Sequence, residues 1–186
     1  MRNSDLKKAD VWTVARTEGG TAVLLRPEGL DKVVPIFIGH LEAQSILIGL
    51  GNVPMPRPLT HDLFIKLLEV LDIKIKKVEI NDLKEATYYA RIILDNKGKI
   101  MDMDSRPSDA IAIAVRCGCP IYVADFIIEE TSISISLMEK ERFEPSPTEL
   151  EISRLEEELN RALENERYEE AARIRDRIRE LKNSRH

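Results

Sequence analysis

The sequence predicts an α+β fold, a mixed β-sheet with flanking helices, followed by an antiparallel helical hairpin. Three observations carry this. Up to residue 144, short β-branched runs alternate with short helical patterns. The order strand, strand, strand, helix occurs twice, suggesting an internal β-β-β-α duplication. After "ERFEPSPTEL" (141–150), glycine and β-branched residues nearly vanish in favour of Glu, Arg, Leu and Ala. The implied boundaries are a domain over 1–144, a linker over 145–148 marked by Pro145 and Pro147, and a hairpin over 149–183.

In chain order, "VWTVART" and "TAVLLRP" read as strands joined by the turn "EGG", and "KVVPIFIG" as a buried strand. "HLEAQSILIGLG" reads as a helix stopped by Gly51. After the loop "NVPMPRP", Thr60 is the expected N-cap of "HDLFIKLLEVL", with Leu63, Leu67, Leu68 and Leu71 at helical spacing and Asp62 suited to the positive helix start. "IKIKKVEI", "TYYARIILD" and "KIMDMD" are the second set of strands, with "NKG" as a turn, and "RPSDAIAIAVRCG" is a helix ending at Gly118. Overlaying the first and last of these helices matches Glu42 with Asp109 and Gly51 with Gly118. "CPIYVAD" supplies a last strand, and "FIIEETSISISLM" a mixed segment.

The hairpin shows the clearest patterning. Leu155, Leu159, Ala162 and Leu163 make one apolar stripe, and Tyr168, Ala171, Ala172, Ile174, Ile178 and Leu181 another, with Asn165 near the break. Two helices alone leave part of each stripe in water, so a partner surface is expected, unless the hairpin folds back on its own domain.

With 186 residues, 43% of them hydrophobic, the chain can build one full core plus an appendage. Its net charge of -5 argues against holding nucleic acid through a broadly basic surface, though not against a local patch. No apolar run is long enough to span a bilayer, and "MRNSDLKKAD" lacks a signal-peptide core, so a cytoplasmic location and no membrane association are expected. Cys117 and Cys119 are too close for an easy disulfide and too few for structural zinc, and are expected to be buried thiols.

Titratable residues gather at three helix starts: His40 and Glu42; His61 and Asp62; and Asp102, Asp104, Arg106, Ser108 and Asp109. Converging on one cleft, they would offer carboxylates for a divalent cation, imidazoles for proton transfer and Arg106 for a phosphoryl oxygen. Each also has a plain explanation. Ser105 can cap a helix, Pro107 suits a first turn, Asp62 and Asp109 complement the helix dipole, and Asp102 and Asp104 alternate with Met101 and Met103 as a solvent face would.

The segments "PIFIGHLEAQSILIGL", "RPLTHDL" and "DSRPSDAIAIAVR", in this order and spacing, resemble the bifunctional nuclease domain family over residues 9 to 140. The resemblance implies hydrolysis of both DNA and RNA. It points to Glu42, His61, Asp62, Asp104, Arg106 and Asp109 as catalytic and to Arg57, Arg106 and Ser108 as substrate-binding. Glu42, Asp104 and Asp109 are the candidate ligands of a magnesium or manganese ion. The tail resembles the UVR motif of UvrB/UvrC type through Leu159, Ala162, Glu166, Tyr168, Glu169, Ala171, Ala172, Arg175, Asp176, Ile178 and Leu181. This implies docking to a protein partner or self-association as a homodimer or higher, with Leu159, Tyr168, Ala171, Ala172, Ile178 and Leu181 as contacts. The competing expectation is a non-enzymatic binding or adaptor module holding a small anionic ligand or a protein.

Overall fold

The computed structural model describes residues 5–17, 19–136, 147–164 and 167–183. The chain divides into two units, Met1–Ile135 and Ser136–His186. In the first, β1 (Leu6–Thr17), β2 (Gly20–Pro27) and β3 (Lys32–Ile38) form an antiparallel meander, followed by α1 (His40–Leu50) and α2 (Thr60–Val70). A second meander, β4 (Ile73–Lys84), β5 (Thr87–Asn96) and β6 (Lys99–Ser105), leads into α3 (Pro107–Cys117). The unit finishes with β7 (Ile121–Ala124), α4 (Asp125–Thr131) and β8 (Ile133–Ser134).

All eight strands join one sheet in the order β6-β5-β4-β7-β1-β2-β3-β8. Strand β7 sits between the meanders, parallel to β4 and antiparallel to β1, which makes the sheet mixed. The expected repetition is present in the element bounds. Leu6 to Ile73, Lys32 to Lys99 and His40 to Pro107 are each a shift of 67 residues, and the ends of these elements shift equally.

The core lies between the helices and the sheet. Ile46 of α1, Leu68 of α2 and Ala110–Ala114 of α3 pack with Val23, Leu25, Val78, Ile80 and Ile92 of the strands. Burying these apolar groups is the main favourable term in the fold. In α2 the expected stripe is shifted. Phe64, Ile65 and Leu68 face the core, while Leu63, Leu67 and Leu71 are exposed. Strand β1 begins five residues earlier than the apolar pattern shows, because Leu6–Asp10 is charged at three of its five positions yet pairs with β7 and β2.

Helix starts differ from expectation in a consistent way. The N-cap of α2 is Leu59, not Thr60, and its N–H donates to Asp62 Oδ2 at 2.8 Å. The N-cap of α3 is Arg106, not Ser105, whose hydroxyl donates instead to the Arg106 carbonyl. Pro107 occupies the first turn and Gly118 ends α3 in the left-handed region, as expected.

Cys117 is exposed rather than buried, and Cys119 half-buried, because they flank the turn at Gly118 where α3 leaves the core. A hydrogen bond with Cys119 outweighs burial and brings the Cys117 thiol down to about 7, while the same pairing raises Cys119.

In the second unit, α5 (Pro147–Glu164) and α6 (Tyr168–Asn183) form the hairpin. Pro147 and Thr148, expected in the linker, already belong to α5. Pro145, Ser146 and Asn165 lie outside the described residues. Of the expected contact residues, Ala171 and Ile178 are buried, Leu159, Ala172 and Leu181 half-buried, and Tyr168 is 67% exposed.

Candidate functional site

Three helices start close together because both meanders deliver their helices to the same face of the sheet, where α1 and α2 each pack against α3. Each start carries an acid at the third helical position: Glu42 in α1, Asp62 in α2 and Asp109 in α3. An acid there ordinarily reaches back to the N-cap N–H. Asp62 does so. Glu42 and Asp109 instead meet at Arg106.

Arg106 donates from Nε to Asp109 Oδ2 at 2.7 Å, from Nη2 to Asp109 Oδ1 at 3.2 Å, and from Nη1 to Glu42 Oε1 at 3.0 Å. Behind it, Asp109 Oδ1 lies 3.2 Å from His61 Nε2, and His61 Nδ1 lies 3.0 Å from Ser45 Oγ. Arg116 closes the inner end. Its Nη2 donates to the Ser45 carbonyl at 2.9 Å and hydroxyl at 3.3 Å, its Nη1 to the Ala112 carbonyl at 2.7 Å, and its Nε to Asp62 Oδ1 at 3.0 Å. One bonded chain therefore links all three helices. It runs from the surface, where Arg106 is 65% exposed, to the interior, where Arg116 is 7% exposed.

The electrostatics follow this gradient. Burial pushes the Asp109 carboxyl up, but hydrogen bonds from Arg106 and His61 outweigh it and hold the group below its ordinary value. The Arg106 guanidinium is raised, first by its bond to Asp109 and then by Glu42. Because an ionised Asp109 only accepts, the neutral His61 ring carries its proton on Nε2, and Nδ1 accepts from the Ser45 hydroxyl.

Glu42, His61, Arg106 and Asp109 are thus brought together as expected. Asp62 belongs to the same chain but not as the partner of His61. It caps α2 and pairs with Arg116, so the carboxylate beside His61 is that of Asp109, not of its sequence neighbour. Asp104 shares no polar contact with the cluster. It stands exposed on β6, as does Asp102, which pairs with Arg91. Glu42, Asp104 and Asp109 consequently make no metal cage, and among the described residues no three His, Cys, Asp or Glu side chains come together as one. Strand alternation turns Asp104 to solvent, and Arg106 occupies the space between the other two.

Ser108, 7% exposed, lines a cleft of about 320 Å³ with Gly39, Glu42, Thr87, Tyr88 and Arg106. Arg57 is apart from this cleft. It lines a second one, of about 540 Å³, whose wall includes Asp62 and Arg116. Two members of the chain, Ser45 and Arg116, were not singled out from the sequence. For Arg116 the signal was there, a lone arginine in the otherwise apolar run "AIAIAVRCG". Ser45 carries no such mark.

A bifunctional nuclease domain model matches residues 23–136, and a UvrB/UvrC motif model matches residues 149–184. An uncharacterized protein of Mycobacterium tuberculosis is 37% identical over 147 residues, covering 79% of this chain and 88% of that protein. Bifunctional nuclease 1 of Arabidopsis thaliana is 26% identical over 176 residues, covering 84% of this chain and 54% of the plant protein. Bifunctional nuclease 1 of Oryza sativa subsp. japonica is 28% identical over 134 residues, covering 70% of this chain and 38% of that protein. Among the described residues no helix is long and apolar enough to cross a membrane. Since the three segments that build the bonded chain all fall inside the matched stretch, the protein belongs to the bifunctional nuclease domain family.

Proposed function

We propose that this chain hydrolyses phosphodiester bonds of DNA and RNA in the cytoplasm, at the cleft where Arg106 is exposed. The observation that carries the reading is the convergence of Glu42, His61, Arg106 and Asp109, from three separate helix starts, on one surface-opening cluster. A guanidinium has five N–H donors in a planar fork. Glu42 and Asp109 use one each on Nε, Nη1 and Nη2, so each Nη keeps a donor for a phosphoryl oxygen.

Glu42 binds Arg106 through Oε1 and leaves Oε2 beside Gly39, where it takes the proton of the attacking water. Arg106 neutralises the charge growing on the phosphoryl oxygens, the electrostatic term that contributes most in such reactions. Asp109 fixes the guanidinium plane and His61 behind it orients Asp109, while the proton that Glu42 takes from the water is the one passed on to the leaving oxygen. Ser108 lines the cleft beside the phosphate. Magnesium or manganese typically binds through one or two carboxylates together with substrate phosphates. With no three-ligand cage among the described residues, such an ion would be held by Glu42 and the substrate, supplying further charge neutralisation.

A second reading, a binding module for a small anion or protein, is favoured by one observation. Arg106 is already met by two carboxylates, which leaves the three-residue cluster net negative. In either reading the hairpin serves a protein partner or a second copy, through the exposed Tyr168 end.

Cleavage of single-stranded DNA and RNA by wild-type and Asp109→Asn protein, with magnesium, manganese or EDTA, tests the proposal. The expected result is cutting by the wild type and a loss on the order of 100-fold in the folded variant. Equal cutting by both displaces the site. No cutting by the wild type under any condition favours the binding module.

A further inference from the structure

The second cleft lies on the other side of the bonded chain from Ser108, between the α1–α2 loop and α2. Its wall holds three cations: Arg116, which is paired with Asp62, and Arg57 and Lys66, neither of which has a hydrogen bond or ion pair with a described residue. Among the described residues Glu69 is the one unpaired carboxylate there, since Asp62 is taken by Arg116. In a chain of net charge -5, this is a local inversion of sign. Beside the cations stands an apolar wall of Val53, Met55, Pro56 and Ile65, with Val53 and Met55 exposed.

We infer that this cleft is a nucleotide subsite for the single-stranded substrate, with Arg57 and Lys66 on a backbone phosphate and the base against Met55 and Pro56. The inference rests on the nuclease reading and adds Lys66 and the apolar wall to it. Three features select a nucleotide over other ligands. Two unpaired cations on the wall of one cleft suit a nucleic-acid phosphate. The apolar wall suits the face of a base, and the volume of about 540 Å³ lies within the range of small-molecule sites. The cleft is separate from the one at Ser108, but it touches the inner end of the same bonded chain. Arg116 and Asp62 form part of its wall, and Arg116 bonds Ser45, which bonds His61.

The test is anisotropy titration of the full chain with a fluorescein-labelled phosphorothioate oligonucleotide at several salt concentrations, alongside steady-state cleavage. The double variant Arg57→Gln/Lys66→Gln binds on the order of 10-fold more weakly. Its plot of log affinity against log salt is shallower by about 0.7 for each phosphate that the protein no longer neutralises. The fall in cleavage is mainly a rise in KM. Glu69→Gln moves affinity the opposite way, by a smaller factor. Both variants alter exposed side chains and keep the wild-type unfolding temperature. Unchanged affinity and slope in the double variant, with the wild type still cutting, overturn the subsite and leave the nuclease reading standing. A wild type that neither binds nor cuts the strand overturns both.

Discussion

The two repeated halves place α1 and α3 at equivalent positions, yet the two helices carry opposite equipment. Where α3 has Arg106 and Arg116, α1 has Gly39 and Gly49, each 67 residues earlier. Of the charged positions only the carboxylate is kept, as Glu42 and Asp109. Gly49 leaves room for Val115 and Arg116, and Gly39 leaves room for the Glu42 carboxylate. A Cβ on Gly49 would stand 2.6 Å from Val115 Cγ2 and 2.9 Å from Arg116 Nη1, and one on Gly39 would overlap the Glu42 carboxylate. The repeat thus supplies a pair of facing helices, and the divergence of two positions on each supplies the chemistry. The first helix gives room and an acid, and the second gives the cations.

Filling the room on α1 is the sharpest way to break this arrangement without touching an ionisable group. Gly49→Ala forces Val115 or Arg116 to move, and overpacking of this kind costs about 1–3 kcal/mol. The gain in helix propensity, about 1 kcal/mol, offsets part of that. We expect a lowered unfolding temperature. An unfolding temperature at or above the wild-type value would show that α1 and α3 pack more loosely than the structure has it.

A smaller effect separates the two carboxylates. The Asp109 group is held below its ordinary value of 3.8 in the folded chain. A carboxyl with a lowered folded pKa contributes stability that is present above its unfolded pKa and is lost as pH falls through the folded one. Unfolding temperature should therefore drop more steeply with acid in the wild type than in Asp109→Asn, below about pH 4. Because Asp109 is about one-third exposed, screening keeps this contribution modest. Parallel acid limbs would remove Asp109 from the set of groups that fold with a partner.

Much of the frame was legible before the structure, because the repeat states it twice. The strand and helix order, the turn at "NKG" and the helix ends at Gly51 and Gly118 all rest on local signals. What failed depends on distant partners. Thr60 and Ser105 have capping chemistry, but the chain enters α2 and α3 so that Leu59 and Arg106 hold the N-cap position. Asp62 sits next to His61 in sequence, yet its partner is Arg116, 54 residues away. Asp104 matched the motif, and its alternation with Met101 and Met103 had already read as the solvent face it occupies on β6. The cluster of Glu42, Arg106 and Asp109 was readable as residue types near helix starts. That Arg106 would occupy the space between the two acids, where a cation was expected, needed the third dimension.

The most direct test of Arg106 as the phosphate-neutralising group is to make the second helix start resemble the first. In Arg106→Gly the N-cap of α3 becomes the residue that caps α1, and both carboxylates remain. Cleavage of single-stranded DNA and RNA is expected to fall on the order of 100-fold or more while the thermal unfolding temperature changes little. Full cleavage by the folded Arg106→Gly protein would contradict this, and would return the Glu42–Arg106–Asp109 cluster to a structural clamp between two helices.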